Sequence, residues 1–309
     1  MNELSSIEDT ATIVREKLEQ LGLQFDHSKL PYRLDKMFPK TKGWGAKGDI
    51  KKKVKLIKQL EPILPDALME GEEVFYIAKG IQHSWFEAIS IGALWSNLIN
   101  QTVFVLTNLR VLMFHTTSSG KPLETCWQIY YSEIKVFKKS VLSTVLKLKL
   151  NDRKSLQFTG FSKLDKTAMP QIFEEALQMF KQLDFAPECS QSREDICGRC
   201  YKIVPKGTFK CDTCETEFWK PSQLAVRSLI VPSWGDFLMK HRLLGCVETV
   251  GCLLGWIVAI SLIAEGEVFV ALLVIAFTHG LDAVVTWVIA NKGLHPIGKL
   301  RPASSSSQS

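Results

Sequence analysis

Residues 243–264 read LLGCVETVGCLLGWIVAISLIA, residues 265–267 read EGE, and residues 268–290 read VFVALLVIAFTHGLDAVVTWVIA. Each apolar run is about long enough to cross a hydrocarbon core of roughly 30 Å at about 1.5 Å per residue, which predicts two membrane-spanning helices. The link is too short for anything except a tight turn, so the two helices must run antiparallel and touch.

Charge gives the hairpin a direction. Lys240, His241 and Arg242 precede the first run, Lys292, Lys299 and Arg301 follow the second, and the link carries only Glu. Positive flanks stay on the cytoplasmic side. Met1–Leu23 carries Glu3, Glu8, Asp9, Arg15, Glu16, Lys17 and Glu19 where a cleavable signal needs an apolar core. The sequence therefore predicts an integral protein of the inner or plasma membrane with both termini cytoplasmic.

Three ionisable residues lie inside the runs, Glu248, His279 and Asp282. Folding the hairpin about Gly266 puts positions 248 and 284 at one level, so Glu248 and Asp282 share a depth and His279 sits about a turn deeper. Such groups are costly in lipid and suggest a proton or metal pathway; the plainer reading is polar pairing near the cytoplasmic end. Gly251 and Gly255 form G-x-x-x-G, a face that lets a partner backbone approach, either the second helix or another copy of the chain. Just upstream, residues 229–238 (LIVPSWGDFL) resemble the opening of small two-helix membrane domains, with Ser233 where the pattern has its first Gly, and Trp234 and Phe237 suit the headgroup level.

Moving towards the N-terminus, Cys197-Gly-Arg-Cys200 and Cys211-Asp-Thr-Cys214 give C-x2-C-x10-C-x2-C, four of the eight Cys. In a reducing cytosol that pattern reads as metal. Two intervening residues let both thiolates of a pair reach one tetrahedral centre, and four thiolates fill a Zn2+ shell with no open position. The expectation is a structural Zn2+ in a small zinc ribbon. Lys202, Lys206 and Lys210 lie between the pairs, where three lysines read as a solvated hairpin edge.

Before the ribbon the pattern is that of strands: Val74–Lys79, Thr102–Thr107, Leu109–His115, Leu123–Tyr131, Ile134–Lys138, Val145–Leu150 and Ser155–Thr159. The turns Ser118–Lys121 and Asn151–Lys154 are hairpin connections, so neighbours should pair antiparallel in a closed or nearly closed meander. An amphipathic helix follows over about 163–183, with Ile172, Phe173, Ala176, Leu177 and Phe180 as its apolar stripe. The stretch 103–113 (VFVLTNLRVLM) resembles the strand pair of the bacterial pleckstrin-homology-like, GRAM-like families. The resemblance covers about Leu68–Leu183 and implies a PH-like antiparallel β-barrel with a capping C-terminal helix, a scaffold that recruits lipids or proteins. Residues 84–100 interrupt the first hairpin with an apolar insertion read as core packing, ahead of a surface that dips into lipid.

The N-terminal region is helical and basic. Helices are predicted over 5–24 and about 49–60, and Lys36–Lys58 holds nine Lys against Asp49. Lys51, Lys52, Lys53, Lys55 and Lys58 are the candidate lipid- or anion-binding residues, with a solvated helix face as the equal alternative. The fold class is thus α+β, divided into a helical basic region (1–65), a PH-like domain (66–185), a zinc ribbon (186–222), an interfacial linker (223–242), a transmembrane hairpin (243–291) and a disordered Ser-rich tail (292–309).

The order of parts predicts a membrane-anchored cytoplasmic adaptor that binds a lipid headgroup or a protein partner, with homo-oligomerisation open. The alternatives are a transport or channel subunit using Glu248, His279 and Asp282, and a tethered nucleic-acid binder using the ribbon and the lysine cluster. No P-loop, G-x-S-x-G or H-E-x-x-H occurs, and the four-thiolate site leaves no open coordination position, so no enzyme is expected.

Overall fold

The computed structural model describes residues 2–23, 30–139 and 145–298; the Ser-rich tail from Ala303 lies outside them. The chain forms two compact units, Met1–His83 with Asn100–Lys206, and Ser84–Ile99 with Gly207–Arg301.

The first unit is a mixed α+β body. Helices α1 (Asn2–Gln20), α2 (Leu34–Met37), α3 (Ala46–Leu60) and α4 (Leu64–Ala67) precede the strands. The strands are β1 (Val74–Gln82), β2 (Gln101–Thr107), β3 (Arg110–Thr116), β4 (Pro122–Tyr130), β5 (Ile134–Lys139), β6 (Leu146–Leu150) and β7 (Ser155–Thr159). Each begins within two residues of its expected start, because turn residues and a period of two mark strands locally. Two further strands, β8 (Glu194–Ile196) and β9 (Ile203–Val204), come from the segment around the first cysteine pair.

All nine form one antiparallel sheet in the order β5-β6-β7-β1-β2-β3-β4-β8-β9, which does not close. The sequence predicts a closed or nearly closed meander; the sheet is open. β1 is long enough to pair with β2 over most of its length and with β7 at Ile81 and Gln82, while β8 adds to the far edge through Cys126, Trp127 and Gln128 of β4.

Both faces of the central strands are covered. Phe104, Leu106, Val111 and Met113 point into one apolar layer with Ile172, Phe173 and Ala176 of α7 (Lys163–Gln182). Their neighbours Val103, Val105, Leu112 and Phe114 point into a second layer with Ile50, Val54 and Ile57 of α3 and with Val14 and Leu18 of α1. A sheet buried on both sides needs apolar residues at every position, which is why 103–113 reads as an almost continuous apolar run. At the bulge between Val74 and Tyr76, the successive residues Phe75 and Tyr76 join one layer, while Val74 and Ile77 join the other.

The second unit is helical: α5 (Trp85–Ser90), α6 (Ala93–Ile99), α8 (Pro221–Ile230), α9 (Trp234–Leu238), α10 (Arg242–Ala264) and α11 (Val268–Ala290). The insertion 84–100 is therefore a helix pair, capped at Ser84 through its bond from the Glu87 N–H. Phe86, Ile91 and Trp95 pack against Leu224, Leu244 and Val285, whereas Trp85, Ile89 and Leu94 are exposed. Residues 223–242, expected as an interfacial linker, hold most of α8 and all of α9. The expected tail is ordered at its start, where Trp219 N–H donates to His295 O at 2.8 Å and Ile297 N–H to Glu217 O at 2.9 Å.

α10 and α11 are each 23 residues, long and apolar enough to cross a membrane. Only 11% and 17% of their most apolar stretches is buried. Gly266, at φ +87°, makes the turn between them, a conformation that L side chains rarely adopt.

Candidate functional site

The first unit carries a basic cavity of about 440 Å3. Its wall is built by Lys52, Lys53 and Lys55 of α3, Lys79 and Gly80 of β1, Ser118 and Ser119 of the β3–β4 turn, and Ser162 and Asp165 at the start of α7. The helical period decides which lysines take part. Ile50, Val54, Ile57 and Leu60 turn α3 onto the sheet, which leaves Lys51, Lys52, Lys55 and Lys58 on the exposed side. Lys51 and Lys58 stand outside the cavity wall.

Lys53 is on the buried side and is not available to a ligand as the other four are. Its Nζ lies 3.1 Å from Asp165 Oδ1 and 3.6 Å from the centre of the Tyr76 ring, and donates to Ile77 O. Burial pulls its pKa below the usual lysine range, with Asp165 opposing. Asp165 is held from three sides, since Tyr76 Oη also donates to Oδ1 at 2.7 Å and Ser162 Oγ to Oδ2 at 2.7 Å. Lys79, which sequence reasoning passed over because it sits in a strand, reaches across the cavity to Ser118 O. Burial first, and then the charge of Lys55, hold the Lys79 ammonium below the usual lysine range.

The four cysteines of the C-x2-C pairs come together, their sulfurs all within 4.8 Å of one another. Cys197 and Cys211 are buried, Cys200 and Cys214 partly so. Each pair is wrapped by the same turn. Tyr201 N–H donates to Cys197 O at 2.8 Å and Cys197 N–H to Lys202 O at 2.9 Å; Glu215 N–H donates to Cys211 O at 2.8 Å and Cys211 N–H to Thr216 O at 2.9 Å. The fifth residue of each turn, Tyr201 or Glu215, is left-handed at φ +55° or +58°. Gly198 is fixed by a close approach: a Cβ there would lie 2.1 Å from the carbonyl oxygen of Glu124 in β4. Four converging sulfurs on two matched turns form a group able to hold a metal ion.

In the second unit the intramembrane candidates separate. His279 uses both ring nitrogens away from the acids: Nδ1 lies 2.8 Å from Leu229 O, and Nε2 accepts from Trp256 Nε1 at 3.2 Å. An indole only donates and a carbonyl only accepts, so His279 carries its proton on Nδ1. Glu248 and Asp282 do meet, and with them a residue that sequence reasoning did not single out, Asp236 of α9. One carboxylate oxygen from each of the three lies within 4.8 Å of the others. At that separation two ionised carboxylates repel by roughly 3 kcal/mol or more at an effective dielectric of about 20. The signal for Asp236 is only tertiary, because α9 is a five-residue turn of helix.

Gly255 faces the second helix, where a Cβ would lie 3.0 Å from Thr278 Cγ2, whereas a Cβ at Gly251 would meet nothing within 4 Å among the described residues. Glu87, fully buried in α5, pairs with Lys292 at the end of α11, another contact that spacing did not predict.

No family model and no curated protein matches this chain. Among solved structures, the C-terminal domain of an unknown protein from Leishmania infantum is aligned with it at 15% identity and a TM-score of 0.27, covering 39% of this chain and 93% of that one.

Proposed function

We propose that the chain is a membrane-anchored recruitment protein, whose first unit binds an anionic headgroup while α10 and α11 hold it in the bilayer. The observation that carries this reading is the cavity walled by Lys52, Lys55 and Lys79. Each cation near an anionic surface adds about 1 kcal/mol of attraction. The seven strands β1–β7 followed by a helix across one face support the pleckstrin-homology-like reading of this unit. That likeness concerns the fold alone; the ligand is argued from the cavity.

The anchor is argued from exposure. Leu253, Leu254, Ile257, Ile260, Phe269, Leu272 and Phe277 are all more than half exposed, an apolar surface far larger than water-facing proteins carry. Lys240, Arg242 and Lys292 flank the open end, and positive flanks of this kind support a cytoplasmic position for it. The thiol cluster takes Zn2+ in this reading: four sulfur donors match its tetrahedral preference, and the ion closes the turns around Cys197 and Cys211. A transport role draws less support, because both ring nitrogens of His279 are engaged by Trp256 and Leu229 and not by Glu248 or Asp282.

The test uses the full-length protein in nanodiscs of neutral phosphatidylcholine, mixed with vesicles of phosphatidylcholine alone or with 20% phosphatidylserine or phosphatidylinositol phosphate. Anionic vesicles are expected to be captured at least tenfold better than neutral ones, and the triple variant Lys52→Glu, Lys55→Glu, Lys79→Glu should lose that margin. Equal capture of neutral vesicles, or an unaffected variant, overturns the reading.

A further inference from the structure

Asp236, Glu248 and Asp282 come from three different helices, α9, α10 and α11, and the two aspartates are each anchored through one oxygen. Asp236 Oδ2 accepts from Thr286 Oγ1 at 3.0 Å, and Thr286 is itself 2.9 Å from Ser228 Oγ. Asp282 Oδ2 accepts from the Ser233 N–H at 2.8 Å. The other oxygens, Asp236 Oδ1 and Asp282 Oδ1, are buried without a hydrogen bond, and so are Glu248 Oε2 and the Ser233 hydroxyl. Asp236 and Ser233 are 0% exposed and Asp282 7%, so these atoms have no solvent in place of a partner. Buried acceptors are normally satisfied, and unpaired oxygens on three carboxylates that approach within 4.8 Å of one another point to a missing ligand.

Among the described residues, His241 is the base in ion-pair range, its Nδ1 3.8 Å from Asp236 Oδ1 and beyond hydrogen-bond reach, while His279 spends both ring nitrogens on Leu229 and Trp256. One imidazolium balances at most one of three carboxylates. Glu248 and Asp282 also line a cavity of about 280 Å3 with Ser90, Trp95, Gly251 and Thr278, room enough for an ion to enter with water. The donors that converge are carboxylate oxygens, which suit hard cations rather than the soft thiolate-binding ions.

We infer that Asp236, Glu248 and Asp282, with the Ser233 hydroxyl beside them, bind a hard divalent cation of the Mg2+, Mn2+ or Ca2+ class that clasps α9, α10 and α11 together. The ion takes the orphaned oxygens as ligands and offsets the mutual repulsion of the carboxylates. It is distinct from the thiolate cluster in donor type, and it calls for no movement of ions across the bilayer.

Mn2+ is the probe. Full-length protein in detergent, its tightly held zinc left in place, is titrated with Mn2+ while the free-ion paramagnetic resonance signal is followed. One Mn2+ per chain is expected to disappear from that signal with a Kd below 1 mM, and excess Mg2+ or Ca2+ should release it. Asp236→Asn, Glu248→Gln and Asp282→Asn should each weaken binding at least tenfold with the zinc content unchanged. Glu248 is the least buried of the three; if the other two variants fail to fold, Mn2+ should raise the Tm of the parent and not of Glu248→Gln. No binding by the parent, or equal binding and equal Tm shifts in Glu248→Gln, overturns the site and assigns the cluster to shared protons.

Discussion

Lys53 and Asp165 show what a single position contributes. Their side chains are 9% and 15% exposed and 3.1 Å apart, so the pair is desolvated and its value depends on both partners remaining. Asp165→Ala strands a buried ammonium and should cost about 3 kcal/mol. Lys53→Met should cost under about 1 kcal/mol, because the methionine fills the space and Asp165 keeps Tyr76 and Ser162 as donors. The pH dependence has a defined sign. Lys53 titrates below 10.5 in the folded protein, so between that lowered value and 10.5 the unfolded chain binds more protons and the Lys53 contribution to stability rises with pH. Removing Asp165 lowers the folded value further. The gap between parent and Asp165→Ala should therefore narrow as pH approaches 10.5, which chemical unfolding in detergent across that range will measure. The spacing of lysines in α3 placed Lys53 among five equivalent cations; only the helix's angle on the sheet singled it out.

At the scale of elements, the two cysteine turns and the strand pair 103–113 differ in how openly the sequence states them. The thiol pairs were legible because the chemistry fixes both residue type and spacing, and the turns around Cys197 and Cys211 share one hydrogen-bond pattern. Under the proposed zinc assignment, removing the metal leaves four thiolates with no common partner, so metal binding and folding of this segment would be one equilibrium. A strong chelator is expected to release about one Zn2+ per chain and to lower Tm by several degrees, with Zn2+ but not Mg2+ restoring it; an unchanged Tm on metal loss would contradict the assignment. The strand pair was legible as strands, but not for what its polar residues do. Arg110 is 2% exposed and forms a two-pronged pair with Glu72, with Nη2–Oε2 at 2.8 Å and Nε–Oε1 at 3.0 Å. Thr107 adds a bond to Glu72 Oε1 at 2.7 Å, and Asn108 Oδ1 accepts from the Glu73 N–H at 2.9 Å. The Thr-Asn-Leu-Arg turn is thus the lock between β2, β3 and the segment leading into β1, built from residues 35 or more positions apart.

For the molecule as a whole, the membrane assignment rests on the exposed apolar surface of α10 and α11, and it makes a direct prediction. The full-length protein should stay with membranes through sodium carbonate extraction and enter solution only with detergent, and added cysteines before Leu243 or after Ala290 should be labelled from the cytoplasmic side alone. Recovery of the intact chain in the carbonate supernatant would remove the anchor.

What the sequence by itself determined are the features stated within one element or one short turn: two apolar runs of 22 and 23 residues, seven strand positions, an amphipathic helix after them and two thiol pairs. Periodicity and fixed spacing are properties of neighbouring residues, and they survive any tertiary arrangement. The structure alone decided that the sheet stays open and is buried on both faces, that Lys53 leaves the lysine group, and that Asp236 rather than His279 joins Glu248 and Asp282. Each of these depends on the angle and depth at which one element meets another, which side-chain packing sets and local sequence does not encode.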